Sequence, residues 1–250
     1  MGADLPAFPG LVAAGQRAGL ALEAVADFLA VRADDLAVVI QAESGWDPTA
    51  ENPSTHAAGL IQWMPATAVR LGMASTEAAA PAAIKALDAE RQLYLLPDYF
   101  HAALAGRNPA TFPSAADTGQ IDLGDLYLLI FAPSFAGRTS GTIFPAGSPG
   151  AASNPGLRAP DGSITVESVR EHIEAVSARS DSLPRIATDT WQAPPPYTPR
   201  DPRPVVPHAP ATPPKKKDEP GIGWLLVALL VGAVAIAARK RKAASSRAAA

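Results

Sequence analysis

The chain has no cysteine in its 250 residues, which excludes disulfide bridges and thiolate metal sites and leaves every redox compartment open. It also lacks a metal-ligand cluster. His101 stands alone in a helical stretch, and His56, in Pro53-Ser54-Thr55-His56, reads as an exposed loop residue. Asp161-Gly162-Ser163-Ile164-Thr165-Val166-Glu167 ends like a calcium loop, but Pro, Leu and Ala occupy the upstream ligand positions. A turn capped by Ser163 or Thr165 explains it better. No metal and no cofactor is expected. The net charge of -3 carries no basic excess, so no nucleic-acid partner is expected. Met1-Gly2-Ala3-Asp4-Leu5-Pro6 lacks the basic start of a secretion signal. Runs of alternating apolar and polar residues are missing, so the domain is predicted to be mainly α.

What is present is helical periodicity. Leu22, Val25, Ala26 and Leu29 share one face, and Asp34 is placed to cap a second helix running to about Ala42. Pro65 suits the first turn of a third helix that Gly72 stops. Asp122 or Asp125 starts Leu126-Tyr127-Leu128-Leu129-Ile130-Phe131. Residues 1–140 form the expected helical domain. Residues 141–191 are read as a loosely packed extension with one amphipathic helix from Ile164 to Ala178, whose apolar side carries Val166, Val169, Ile173 and Val176.

The rest of the chain changes character. Gln192 to Pro214 holds ten prolines in 23 positions, a semi-rigid spacer with a reach of about 70 Å at about 3.1 Å per residue. The Pro-rich and basic linker, 192–220, leads to an unbroken apolar stretch ending at Ala238 and a basic, alanine-rich tail, 240–250. Residues 221–239 are predicted to form one transmembrane helix in a lipid bilayer, because a membrane-surface helix needs a charged face and this one has none. Trp224 suits an interfacial anchor. Arg239-Lys240-Arg241-Lys242 puts the C-terminus on the cytoplasmic or virion-interior side and the folded domain towards the cell wall.

The chemistry concentrates in two strings. Leu36-Ala37-Val38-Val39-Ile40-Gln41-Ala42-Glu43 brings one carboxylate to a helix end just before Ser44-Gly45-Trp46-Asp47-Pro48. Gly59-Leu60-Ile61-Gln62-Trp63-Met64-Pro65-Ala66-Thr67-Ala68 follows. Apolar neighbours such as Val39, Ile40, Leu60 and Trp63 penalise the charged form of Glu43 and would keep it a proton donor. Asp47 sits after a helix-breaking glycine in an Asp-Pro turn and reads as structural.

These two strings, with Thr49-Ala50-Glu51-Asn52-Pro53 between them, resemble the catalytic heart of soluble lytic transglycosylases, a family with a goose-type lysozyme-like fold. Glu43-Ser44 matches the family's Glu-Ser pair, and Gly59-Leu60-Ile61-Gln62 matches its Gly-Leu-Met-Gln. The resemblance implies that Glu43 is the catalytic acid and base, that no second carboxylate is needed, and that Gln62 touches the sugar. Ser44 either orients Glu43 and meets sugar or merely turns the chain. Trp63 either stacks on a sugar ring or fills the core. The family's third motif, Ala-Tyr-Asn-Ala-Gly, has only Phe131-Ala132-Pro133-Ser134-Phe135-Ala136-Gly137 as counterpart, without its tyrosine and asparagine. Tyr127 or Tyr99 is the candidate replacement for the missing hydroxyl, Tyr127 being counted among the substrate-binding residues.

The implied substrate is the peptidoglycan glycan strand, cut between N-acetylmuramic acid and N-acetylglucosamine. The Gln-Trp-Met-Pro variant is most similar to transglycosylase domains of bacteriophage particles, which implies a virion setting and local cell-wall opening. A muramidase that uses water and a non-catalytic glycan-binding or structural virion protein are the alternatives.

Overall fold

A computed structural model describes residues 4–108, 111–115 and 119–188. The Pro-rich linker, the predicted membrane helix at 221–239 and the tail lie outside the described residues. Among the described residues no helix is long and apolar enough to cross a membrane.

Helix α2 (Ala33–Ser44) is the axis of the domain, with Leu36, Ala37, Val38, Val39 and Ile40 all buried. Five consecutive buried positions exceed the single apolar stripe of a surface helix, so the helix needs neighbours on several sides. It finds them in α1 (Pro9–Leu29), α7 (Leu123–Phe131) and α9 (Val166–Ser180). Shorter helices complete the other flank: α3 (Pro65–Arg70), α4 (Ala80–Lys85), α5 (Ala89–Leu93) and α6 (Leu96–Leu104), with α5 and α6 packed on α1. Helix α8 (Pro149–Ser153) precedes α9.

The mainly helical prediction holds, with differences of detail. The first helix begins at Pro9, well before the periodic face that opens at Leu22, and bends at Gly15, whose φ of 81° interrupts the helical backbone. The cap of α2 is Arg32, in extended conformation, and not Asp34. Asp34 lies inside the first turn and accepts a 2.8 Å hydrogen bond from the Arg32 guanidinium, where its charge complements the helix dipole. Pro65 opens α3 as expected, and Gly72 follows its end with φ 70°. Of the two candidate caps, Asp122 is the one whose side chain accepts from the Asp125 amide, and Thr165 builds a capping box with Ser168.

Four short strands were not anticipated. β1 (Asp4–Pro6) pairs antiparallel with β4 (Arg185–Ala187), and β2 (Thr142–Phe144) pairs antiparallel with β3 (Ile164–Thr165). Strands of two or three residues are too short to show alternation, so periodicity has nothing to detect.

Residues 141–188 are not loose. Ile164, Val166, Val169 and Ile173 belong to the same buried cluster as Leu22, Ile40 and Leu129, and the β1–β4 pair ties the two ends of the described chain together. Arg170 of α9 bonds Asp122 at 2.9 Å and Asp125 at 2.5 Å, which clamps α9 to α7. Gly124 leaves room for this: a Cβ there would lie 2.5 Å from the Arg170 guanidinium.

Candidate active site

Glu43 occupies the last turn of α2. The helix stops because Gly45 adopts φ 64° and returns its amide to the Gln41 carbonyl. Trp46 follows, also at positive φ, and buries its ring with Nε1 donating to the Ala37 carbonyl at 3.1 Å. Asp47 is structural, as read from the sequence: its Oδ1 accepts from the Thr49 amide at 2.8 Å and the Thr49 hydroxyl at 2.7 Å.

The loop between α2 and α3 folds back on itself by backbone pairing. Ala58 and Trp63 exchange hydrogen bonds of 3.1 and 2.8 Å, and the Gly59 amide donates to Ala50 at 2.8 Å. Beyond Gly45 and Trp46, three of the loop's residues carry left-handed backbone, His56 at φ 57°, Gly59 at φ 79° and Gln62 at φ 52°. A non-glycine residue held there is uncommon and signals a conformation fixed by its surroundings. The fixing element is Gln92 of α5, fully buried, which sequence reasoning missed. Its Oε1 accepts the Leu60 amide at 2.8 Å, while its Nε2 donates to Pro48 at 2.8 Å and Leu87 at 3.0 Å. One amide thus joins both motif strings, although it lies about one helix beyond them and carries no local signal.

A cavity of about 130 Å³ opens where these elements meet α6 and α7. Glu43, Gln62, Met64, Arg70, Tyr99 and Phe131 are among its walls. Among the described residues Glu43 is its only carboxylate, and it is 7 % exposed. Burial raises the proton affinity of Glu43 to a pKa of about 8, against a smaller opposing effect from its hydrogen bond with Tyr127. At neutral pH this carboxyl is protonated and able to donate. A larger cavity of about 550 Å³ lies between α1 and the start of α5, lined by Arg17, Trp46, Asp47 and Glu90, and does not reach Glu43.

The remaining predicted site residues divide. Gln62 is brought to the cavity wall, with its Nε2 donating to the Gly59 carbonyl at 3.0 Å. That bond leaves its amide oxygen as the group available to a ligand. Ser44 turns away: its hydroxyl donates to the Ile40 carbonyl at 3.3 Å within its own helix and is no part of the cavity wall. Trp63 is fully buried and packs edge-on against Tyr99 at 5.3 Å, so it fills the core and does not face a sugar. Tyr127 is 1 % exposed and also stands behind the wall. It meets Glu43, not the cavity, and its hydroxyl donates to that carboxylate. Tyr99 does line the cavity, with its hydroxyl donating to the Ile130 carbonyl at 3.3 Å. Both candidate tyrosines therefore gather around Glu43, one behind it and one beside it.

Residues 25–89 match the family model of the transglycosylase SLT domain. Over this stretch the chain is similar to soluble lytic transglycosylases. No curated protein and no solved structure matches it. The matched residues run from the second half of α1 through α2 and the Gly59–Gln62 turn to the start of α5. The mainly helical architecture is consistent with the lysozyme-like fold of such domains, and the transglycosylase domain implies peptidoglycan as its substrate. Tyr127 and the altered third motif lie beyond the matched span. Near that motif the backbone is held by side chains: Arg107 donates to the Ala136 carbonyl at 2.9 Å, and the Gly137 amide donates to Asp125 at 2.8 Å. Among the described residues no group of His, Cys, Asp or Glu could hold a metal ion.

Proposed function

We propose that this protein cleaves the β-1,4 bond between N-acetylmuramic acid and N-acetylglucosamine by lytic transglycosylation, with Glu43 as both acid and base. The observation that carries the reading is a buried carboxyl at the wall of a cavity, alone there among the described residues and favoured in its protonated form by burial, inside the residues that match the transglycosylase domain. Glu43 gives its proton to the glycosidic oxygen as the bond to the anomeric carbon breaks. The substrate's own N-acetyl oxygen relieves the positive charge. The C6 hydroxyl of the muramic acid then attacks the anomeric carbon, and the Glu43 carboxylate takes the hydroxyl proton. The products are a 1,6-anhydro end and a free N-acetylglucosamine hydroxyl, and the enzyme regains its proton.

Tyr127 supports the first half-reaction, because its hydrogen bond to Glu43 favours the carboxylate that remains once the proton has been given to the glycosidic oxygen. Gln62 supplies the polar contact to sugar. Among the described residues the cavity has no second carboxylate, which favours this route over hydrolysis by a water-activating pair. The sequence of 192–239 supports a further part of the reading: a proline spacer and a membrane helix that hold a goose-type lysozyme-like domain at the cell wall. A phage particle opening the wall locally during genome delivery suits that arrangement and the Gln-Trp-Met-Pro variant.

The test is mass spectrometry of muropeptides released from purified sacculi by the full chain in detergent. Anhydro-muropeptides are expected. Reducing muramic acid ends in their place would make the protein a muramidase, and intact sacculi would leave it without this activity.

A further inference from the structure

One charged group at the cavity has no role in the chemistry above. Arg70 closes the last turn of α3 and lines the same cavity as Glu43, Gln62 and Tyr99. It is exposed, and among the described residues it makes no hydrogen bond, ion pair or ring contact. Its position is near enough to Tyr99 for its field to act on that hydroxyl. Glu43 does not neutralise it, because Glu43 keeps its proton at neutral pH through burial. The remaining wall is apolar or hydroxylic, with Ile61, Met64, Thr67, Ile130 and Pro133. At neutral pH the cavity therefore presents, among the described residues, a single fixed positive charge with no partner. A guanidinium offers a planar fork of donors that matches a carboxylate.

We propose that Arg70 is a specificity-determining residue that anchors a carboxylate carried on the muramic acid side of the glycan. This rests on the transglycosylase reading. Two parts of peptidoglycan hold such a group: the lactyl substituent where the peptide has been removed, and the stem peptide where it is still attached. The competing account is that Arg70 only complements the C-terminal dipole of α3, which would affect stability and not ligand choice.

The experiment measures glycan binding by titration calorimetry in a Glu43→Gln background, with and without Arg70→Gln, on the full chain. Three ligands are compared: peptide-free glycan strands, peptide-bearing glycan strands and neutral N-acetylglucosamine oligomers. Loss of Arg70 is expected to weaken a carboxylate-bearing glycan by about tenfold, as one charge-assisted hydrogen bond warrants, and to leave the neutral oligomer unchanged. Loss on the peptide-free strand assigns the lactyl carboxylate; loss only on the peptide-bearing strand assigns the stem peptide. Arg70→Lys should recover part of the affinity, and added salt should weaken only the anionic ligands. Equal change on all three ligands, no change on any, or no binding at all would overturn the proposal. The transglycosylase reading falls separately, only if the wild-type chain leaves sacculi uncut.

Discussion

Replacing Glu43 by Gln should produce a protein that is both inactive and more stable at neutral pH. The two effects have one cause. In the unfolded chain this carboxyl releases its proton near its ordinary value of 4.5, whereas the folded protein keeps the proton to about pH 8. Between those limits the unfolded state binds fewer protons, so stability falls as pH rises. The slope is about 1.4 kcal/mol per pH unit. At about pH 7 the accumulated penalty is on the order of 3 kcal/mol; above about pH 8 it stops growing, and below about pH 4.5 it vanishes. Gln has nearly the same shape and no charge to desolvate, so it escapes the penalty.

For a domain of this size, 3 kcal/mol corresponds to a rise of roughly 6–12 °C in the unfolding midpoint. Scanning calorimetry of both proteins at about pH 4.5 and about pH 7.5 reads this directly, and the gap should open only at the higher pH. Cleavage of sacculi should fall by a factor on the order of 10²–10⁴, the usual contribution of a general acid. A midpoint difference that does not depend on pH would refute the buried-acid argument, and undiminished cleavage would remove Glu43 from the chemistry.

Other outcomes follow from the same geometry. Tyr127→Phe removes the one hydrogen bond that favours the Glu43 carboxylate, so the alkaline limb of the pH–activity profile should move to higher pH while kcat drops by about tenfold; a shift to lower pH would contradict the assignment. Gly59→Ala must place a methyl group 2.3 Å from Gln92 Oε1 at a backbone φ of 79°, and should cost on the order of 2 kcal/mol or more in denaturant unfolding. Trp63→Ala should cost about 3–5 kcal/mol as a core truncation, and KM of the folded fraction should stay unchanged. A raised KM with unchanged stability would restore Trp63 to the sugar groove.

The sequence alone located the buried carboxyl of Glu43, because the constraint there is local. An apolar helix, a glycine that ends it and a carboxylate on its last turn are neighbours along the chain, and the Gly59–Gln62 string lies close enough to be read as its companion. The helix starts at Pro65, Asp122 and Thr165 were legible for the same reason, since a cap acts within four residues. Tertiary packing decided the rest. Tyr127 reaches Glu43 because α7 lies against α2, and Trp63 is lost to the core because α6 brings Tyr99 over it. Gln92 pins a turn some thirty residues away in the chain, and α9 joins the core through an ion pair 45 residues long in sequence. Periodicity tells which face of a helix is apolar; it does not tell which neighbour covers that face, and the partners of a buried polar group are set by that neighbour.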